Sequence, residues 1–238
     1  MAKFKPIVQA RISETVAEQL KESIFLGHFK SSDKLPPERE LAKEFKVSRT
    51  AIREALRKLE NSGFIITRQG STGGAYVTDI TFDHVADVFL DLFLTGKISV
   101  PELSQVRILV EPEVARLAAL NINPEYAQML KNTLDDEKLP EPSLSVDIAK
   151  KQRMHFILAE MCGNKFFEAI VRALMDLTKK VVEAVESAPQ LHPVGMHNNI
   201  VKTVISGNGE AAFKAMKKHS IEFGKILVNM EKSYREKK

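Results

Sequence analysis

Apolar residues recur at helical spacing through most of the chain, and the places where that rhythm breaks divide it into elements. From Arg11 to Leu26, Ile12, Val16, Leu20, Ile24 and Phe25 share one face of a predicted helix that Gly27 can cap. A polar loop from Lys30 to Lys34 follows. Leu35-Pro36-Pro37-Glu38-Arg39-Glu40 then opens a second helix of about two turns. Pro37 suits its first position, the acids suit its positive end, and Leu41 and Phe45 face inward. Lys46-Val47-Ser48 interrupts the pattern, and Ser48 can cap a third helix whose apolar positions are Ile52, Leu56 and Leu59, ending near Ser62-Gly63. Two short helices across a tight turn form a helix-turn-helix pattern.

After Gly63 the period changes. Phe64-Ile65-Ile66-Thr67-Arg68 is rich in β-forming residues, Gln69 to Gly74 is turn-like, and Ala75-Tyr76-Val77 resumes a strand, which together predict a hairpin wing. From Thr81 to Leu94, Phe82, Val85, Val88, Phe89, Leu92 and Phe93 suggest a linking helix, and Gly96 to Pro101 breaks it. Further helices are predicted at 101–120, 124–136, 143–162, 165–188, 194–206 and 209–233. The expected fold is mostly α: an N-terminal winged helix-turn-helix with a small β-hairpin wing over 1–79 and a linking helix and loop over 80–100. A C-terminal all-α antiparallel helical bundle over 101–232 and a frayed tail over 233–238 complete it.

Composition narrows the class. With 44% hydrophobic and 28% charged residues the chain reads as a folded globular protein rather than a disordered or fibrous one. Cys162 is the only cysteine, which excludes an internal disulfide framework and suits a reducing compartment. No apolar stretch approaches the ~20 residues needed to span a bilayer, and no secretory pattern opens the chain, so a cytoplasmic protein without a membrane partner is expected. The net charge of +4 is unevenly placed: residues 1–80 hold 14 Lys+Arg against 10 Asp+Glu, while 81–238 hold 21 of each. Because neutralising phosphates supplies most non-specific DNA affinity, the asymmetry places a nucleic-acid module in the first third.

Arg49, Arg53 and Arg57, four residues apart, lie along the face of the third helix opposite its apolar stripe. An arginine fork can donate two hydrogen bonds to guanine's major-groove edge or clamp a phosphate, and Thr50 near the helix start can reach a base or backbone oxygen. The same face also reads as a solvated charged surface paired with Glu54 and Glu60; the adjoining wing is what favours DNA. Gly70, Gly73 and Gly74 permit tight turning there, and Arg68 and Gln69 supply donors.

The run Leu35-Pro36-Pro37-Glu38-Arg39-Glu40-Leu41-Ala42, then Val47-Ser48-Arg49-Thr50-Ala51-Ile52-Arg53-Glu54-Ala55-Leu56 with Leu59-Glu60 and Gly63-Phe64-Ile65, resembles the N-terminal domain of GntR-superfamily bacterial regulators over residues 9–79. The resemblance implies that Arg39, Arg49 and Arg53 contact DNA and that Gly70 is the wing-tip glycine; Ser48, Thr50 and Gln69 are further candidate DNA contacts. It further implies a homodimer reading half-sites of a palindromic double-stranded operator.

The C-terminal part resembles the ligand-sensing FCD domain of the FadR branch of that superfamily. The matching pieces are Leu103, Arg107, Glu111 and Ala115 to Ala119; Met154-His155-Phe156 with Gly163-Asn164; His197 with Ile200; and Gly207-Asn208-Gly209 with Ala212 and His219. The resemblance implies a bundle enclosing a small-molecule effector; Arg107, Lys151 and Asn164 are the candidate effector contacts. Many members of the branch hold a divalent metal, zinc or nickel among the candidates, by one aspartate and three histidines. His155, His197 and His219 fall at the histidine positions, but the aspartate position holds Lys151. Asp147, eight residues before His155, lies about 12 Å away along a helix. Either three histidines suffice with Lys151 turned aside, or Lys151 replaces the metal and binds an anionic effector directly. Arg107 reads equally as an anion clamp or as a structural partner of Glu111 one turn on.

These features together predict a transcription regulator, a repressor controlled by a small carboxylate-bearing metabolite, and not an enzyme. Two other readings are a metal-dependent enzyme using His155, His197 and His219 with a bound water, and an architectural DNA binder with a purely structural bundle. No HExxH helix or general-base pair accompanies the histidines to support the enzyme.

Overall fold

Val16, Ala17 and Leu20 are the buried face of α1 (Ile12–Phe25) and meet α3 (Arg49–Asn61) through its Ile52, Ala55 and Leu59. The computed structural model describes residues 12–70, 73–79, 83–139, 143–185, 193 and 195–236. The predicted apolar stripe of α1 overreaches at both ends, for Ile12 and Phe25 are 57% and 62% exposed. Only its middle turns lie against the core, although Phe25 still packs edge-on to Phe64 at 5.6 Å.

Between α1 and α3, α2 (Glu38–Glu44) buries Leu41. Pro37 is its N-cap rather than its first helical residue. The turn into α3 is made by Lys46 at φ 53, and Ser48 caps α3 by accepting a hydrogen bond from Ala51 N at 3.2 Å. The wing is the antiparallel pair β1 (Ile65–Arg68) and β2 (Gly74–Val77), in register Ile65 with Val77 and Arg68 with Gly74. The chain before α2 joins this sheet: Leu35 N donates to Ala75 O at 2.8 Å, and Lys34 bridges to Tyr76. Residues 71 and 72 of the expected wing turn, and Phe82 of the expected linking helix, lie outside the described residues.

Contacts divide the chain into units 1–84 and 85–238. From Val85 onward the second unit holds most of α4 (Asp83–Leu94), then α5 (Val100–Leu120), α6 (Pro124–Asp136), α7 (Leu144–Met161), α8 (Lys165–Val185), α9 (Asn198–Ile205) and α10 (Gly209–Arg235). α5 packs along α10 and α7 along α8. The start of α5 is fixed by a capping box in which Glu102 accepts from Ser99 N at 2.8 Å.

Two boundaries differ from the sequence pattern. α9 begins at Asn198 rather than 194, because Gly195 sits at φ +86 and interrupts the helical run. α10 runs to Arg235, into the segment 233–238 expected to fray. Buried Glu231 explains this: its Oε2 accepts from Val100 N at 3.0 Å and its Oε1 pairs with Arg235 at 2.7 Å, while Arg235 lies over the Phe93 ring. Ala86 and Phe93 of α4 enter the same core cluster as Ile148, Leu177 and Phe223. Among the described residues no helix is long and apolar enough to cross a membrane.

Candidate functional site

On the first unit, the exposed face of α3 and the wing border a groove of ≈ 580 Å³ lined by Lys34, Arg39, Arg49, Arg53, Arg57 and Gly73, among others. Five cations thus converge on one concave surface, which suits a polyanion. Arg49 and Arg53 are 63% and 62% exposed along their side chains. Both turn to Glu38: Arg53 donates from Nε at 3.1 Å and Nη2 at 2.9 Å, and Arg49 Nη2 lies 3.5 Å away. The hydrogen bond from Arg53 is the main influence holding the Glu38 carboxyl below its usual range.

Thr50 stands exposed in the first turn of α3, and Gln69 and Gly70 are exposed where β1 ends, with Gly70 at φ +99. Ser48 Oγ is engaged in capping α3. Lys34 is a groove residue that sequence reading missed. It reaches past Gly74, where an added Cβ would come within 2.5 Å of Lys34 Cε, and its Nζ lies 5.6 Å from the Tyr76 ring. Arg68 covers Tyr76 as well, at 4.6 Å. The signal was present in Gly74, but its meaning depends on pairing between residues forty positions apart.

In the second unit, His155 of α7, His197 at the N-cap of α9 and His219 of α10 are all buried, and one ring nitrogen from each lies within 4.8 Å of the others. Two carboxylates that the sequence reading did not assign stand behind them. His155 Nδ1 is 2.6 Å from Glu111 Oε2, an ion-pair distance without hydrogen-bond alignment, and His197 Nδ1 is 2.7 Å from Glu137 Oε1. With Nδ1 turned to a carboxylate, Nε2 is the nitrogen left for a ligand, an arrangement typical of metal-binding imidazoles. Burial pushes the His155 pKa down against the pull of Glu111, and burial with the neighbouring His197 and His155 pushes His219 well down. Neutral imidazole is the form that binds a metal. The donor set therefore fits a divalent cation.

Beside the cluster, Arg107, Ile148, Lys151, Gln152, Met175, Thr178 and Phe223 with His155 enclose a cavity of ≈ 20 Å³, room for about one water. Arg107 Nε donates to Glu111 at 2.6 Å, and both side chains are almost wholly buried. Burial raises the Glu111 carboxyl most strongly of any single influence, but Arg107 and His155 together outweigh it and hold the group ionised. Among the described residues Arg107 Nη1 has no hydrogen-bond partner. Lys151 Nζ is drawn to Asp147 Oδ2 at 2.6 Å, one turn back on α7. Asn164 is not brought to this site: it is exposed, and its Oδ1 caps α8 by accepting from Phe166 N at 2.9 Å. Beside Gly163 it marks the start of α8 and does not line the cavity.

Residues 12–77 match the family model described as bacterial regulatory proteins, gntR family, and residues 102–222 match the FCD domain. The chain belongs to the GntR family. Over 200 residues it is 30% identical to the HTH-type transcriptional repressor NanR of Salmonella newport, covering 82% of this chain and 74% of that protein. The same identity holds against NanR of Salmonella arizonae, with 82% and 73% covered. A GntR structure from Streptococcus agalactiae shares the fold at TM-score 0.65 and 24% identity, covering 90% of this chain and 99% of that one. A GntR-family regulator from Pseudomonas syringae shares it at TM-score 0.50 and 19% identity, covering 94% and 87%. This GntR protein is accordingly a DNA-binding transcription regulator joined to an FCD sensing domain for small molecules. Its relatives are transcription regulators, and the metal-dependent enzyme weighed from the sequence is set aside.

Proposed function

We propose that this GntR regulator is a cytoplasmic repressor that binds a palindromic operator as a homodimer and is released by a small organic acid. Arg39, Ser48, Arg49, Thr50, Arg53, Gln69 and Gly70 are its DNA contacts. His155, His197 and His219 hold a divalent cation, zinc or nickel, and Arg107 and Lys151 take the acid. The NanR relatives are transcriptional repressors, which supports the direction of control.

The observation that carries the sensor reading is Arg107 Nη1, a buried cationic donor without a hydrogen-bond partner among the described residues, on a cavity that adjoins three histidines. A buried unpaired donor costs about 1–3 kcal/mol, and a carboxylate would relieve that. A bound divalent cation would supply a Lewis-acidic position for the same carboxylate. The Asp147 carboxylate offsets the Lys151 charge, so Lys151 does not oppose a cation at the histidines.

A cavity of ≈ 20 Å³ cannot take a metabolite without moving its walls. Two of those walls, Ile148 and Phe223, share a core cluster with Ala86 and Phe93 of α4. Movement of these walls bears directly on α4 from Ala86 to Phe93, and an effector that binds two arrangements unequally shifts the regulator between them.

Metal analysis of the purified full chain is expected to give one divalent ion per chain, and His197→Ala is expected to lose it. In a thermal-shift series of organic acids, the stabilising acid should lose most of its effect after chelation. Absence of metal from both proteins, with acids still stabilising through Lys151, would favour the lysine-replacement alternative instead.

A further inference from the structure

Two acids, Glu38 and Glu60, line the groove beside its five cations; Glu60 accepts from Thr67 N at 2.8 Å, whereas Glu38 faces Arg49 and Arg53. A carboxylate facing a polyanion opposes binding, so a groove built only for affinity would not contain one. Its geometry is specific. Glu38 takes Arg53 side-on through Nε at 3.1 Å and Nη2 at 2.9 Å, and draws Arg49 to 3.5 Å. A guanidinium carries five N–H donors, so two engaged on one edge leave three, including the outer pair that can meet guanine O6 and N7. The same clamp restrains an otherwise exposed, flexible side chain.

We infer that Glu38 is a positioning residue for DNA discrimination: it aims the Arg53 fork at a base edge and withholds the charges of Arg49 and Arg53 from indiscriminate contact with phosphates. The inference rests on the reading of Arg53 as a DNA contact, and the Arg53→Ala protein separates the failure of one from the failure of the other. A two-point clamp fixes direction, which specific recognition needs and non-specific binding does not. One negative charge shared by two arginines also lowers the positive potential offered to a random duplex.

The test uses full-length protein and two duplexes: one enriched from a random pool by the wild-type chain, and one random duplex of equal length. Glu38→Gln keeps the size of a partly exposed side chain, and circular dichroism of each variant confirms its fold. The substitution is expected to lower the ratio of selected to random affinity by roughly tenfold, the scale of one good base contact. It should raise affinity for the random duplex and steepen that duplex's salt dependence by about one phosphate equivalent. In the Arg53→Ala background, Glu38→Gln should lower the ratio far less, because no fork remains to be aimed and only the Arg49 charge is released. An equal fall in affinity for both duplexes overturns the inference, as does an unchanged ratio in the single variant. A ratio that falls by the full tenfold in the Arg53→Ala background would show that Glu38 does not act by aiming Arg53, and also overturn it. If Arg53→Ala itself binds both duplexes as the wild type does, the Arg53 contact fails first and the inference falls with it.

Discussion

Arg53→Ala is expected to weaken binding to a selected duplex by roughly 5-fold to 150-fold, the span of about 1–3 kcal/mol carried by one bidentate base contact. The expectation follows from the position of Arg53 on the outer face of α3, 62% exposed and on the groove shared with Lys34, Arg39 and Arg57. Arg49→Ala should act in the same direction. Lys232→Ala is the control: it removes one positive charge from an exposed position near the end of α10, so only a small electrostatic change is expected. Mobility-shift titrations at fixed salt decide the matter, since affinities at different salt concentrations cannot be compared. Small and equal losses in the three proteins would remove α3 from the DNA interface.

Replacing Glu111 by Gln is expected to cost about 3–5 kcal/mol of stability, because breaking a buried ion pair leaves its partner charge uncompensated. The partner is Arg107, whose side chain is 3% exposed and which lies over the Phe223 ring at 4.7 Å. For a protein of this size the loss corresponds to a melting temperature lower by roughly 6–20 °C for the transition that includes the second unit. The double variant Arg107→Met, Glu111→Leu should recover much of the loss, since a buried pair exchanged for apolar groups of similar volume is often neutral. Thermal denaturation followed by circular dichroism measures both. A shift of under about 2 °C in Glu111→Gln, less than 1 kcal/mol on the same scale, would show that Arg107 finds other compensation.

These predictions draw unequally on sequence and fold. The amphipathic periods were legible wherever one face meets a core: Ile52, Leu56 and Leu59 of α3 are buried as their spacing requires. The wing was legible because β-forming residues flank a glycine-rich turn. Pattern failed where burial ends before amphipathicity does, as at Ile12 and Phe25, and where one long-range bond extends an element, as Glu231 does for α10.

The histidines could be singled out by their match to a family pattern, but Glu111 and Glu137 could not be joined to them. Glu111 is 44 residues from His155 and Glu137 is 60 from His197, and only the packing of α5 against α7 and of α6 against α9 closes those distances. Asn164 shows the converse. Its neighbours in sequence suggested a ligand contact, and its position assigns it to a helix cap.

The sequence by itself determined the two-part organisation, the helix-turn-helix with its wing, and the row of arginines on α3, because all of these are set by residues within a few turns of one another. Tertiary structure alone decided what those residues face. It turned Arg49 and Arg53 to Glu38, placed carboxylates behind two histidines, and left Arg107 Nη1 buried on a water-sized cavity. Direction and burial depend on what packs against a side chain, and local spacing carries no record of that.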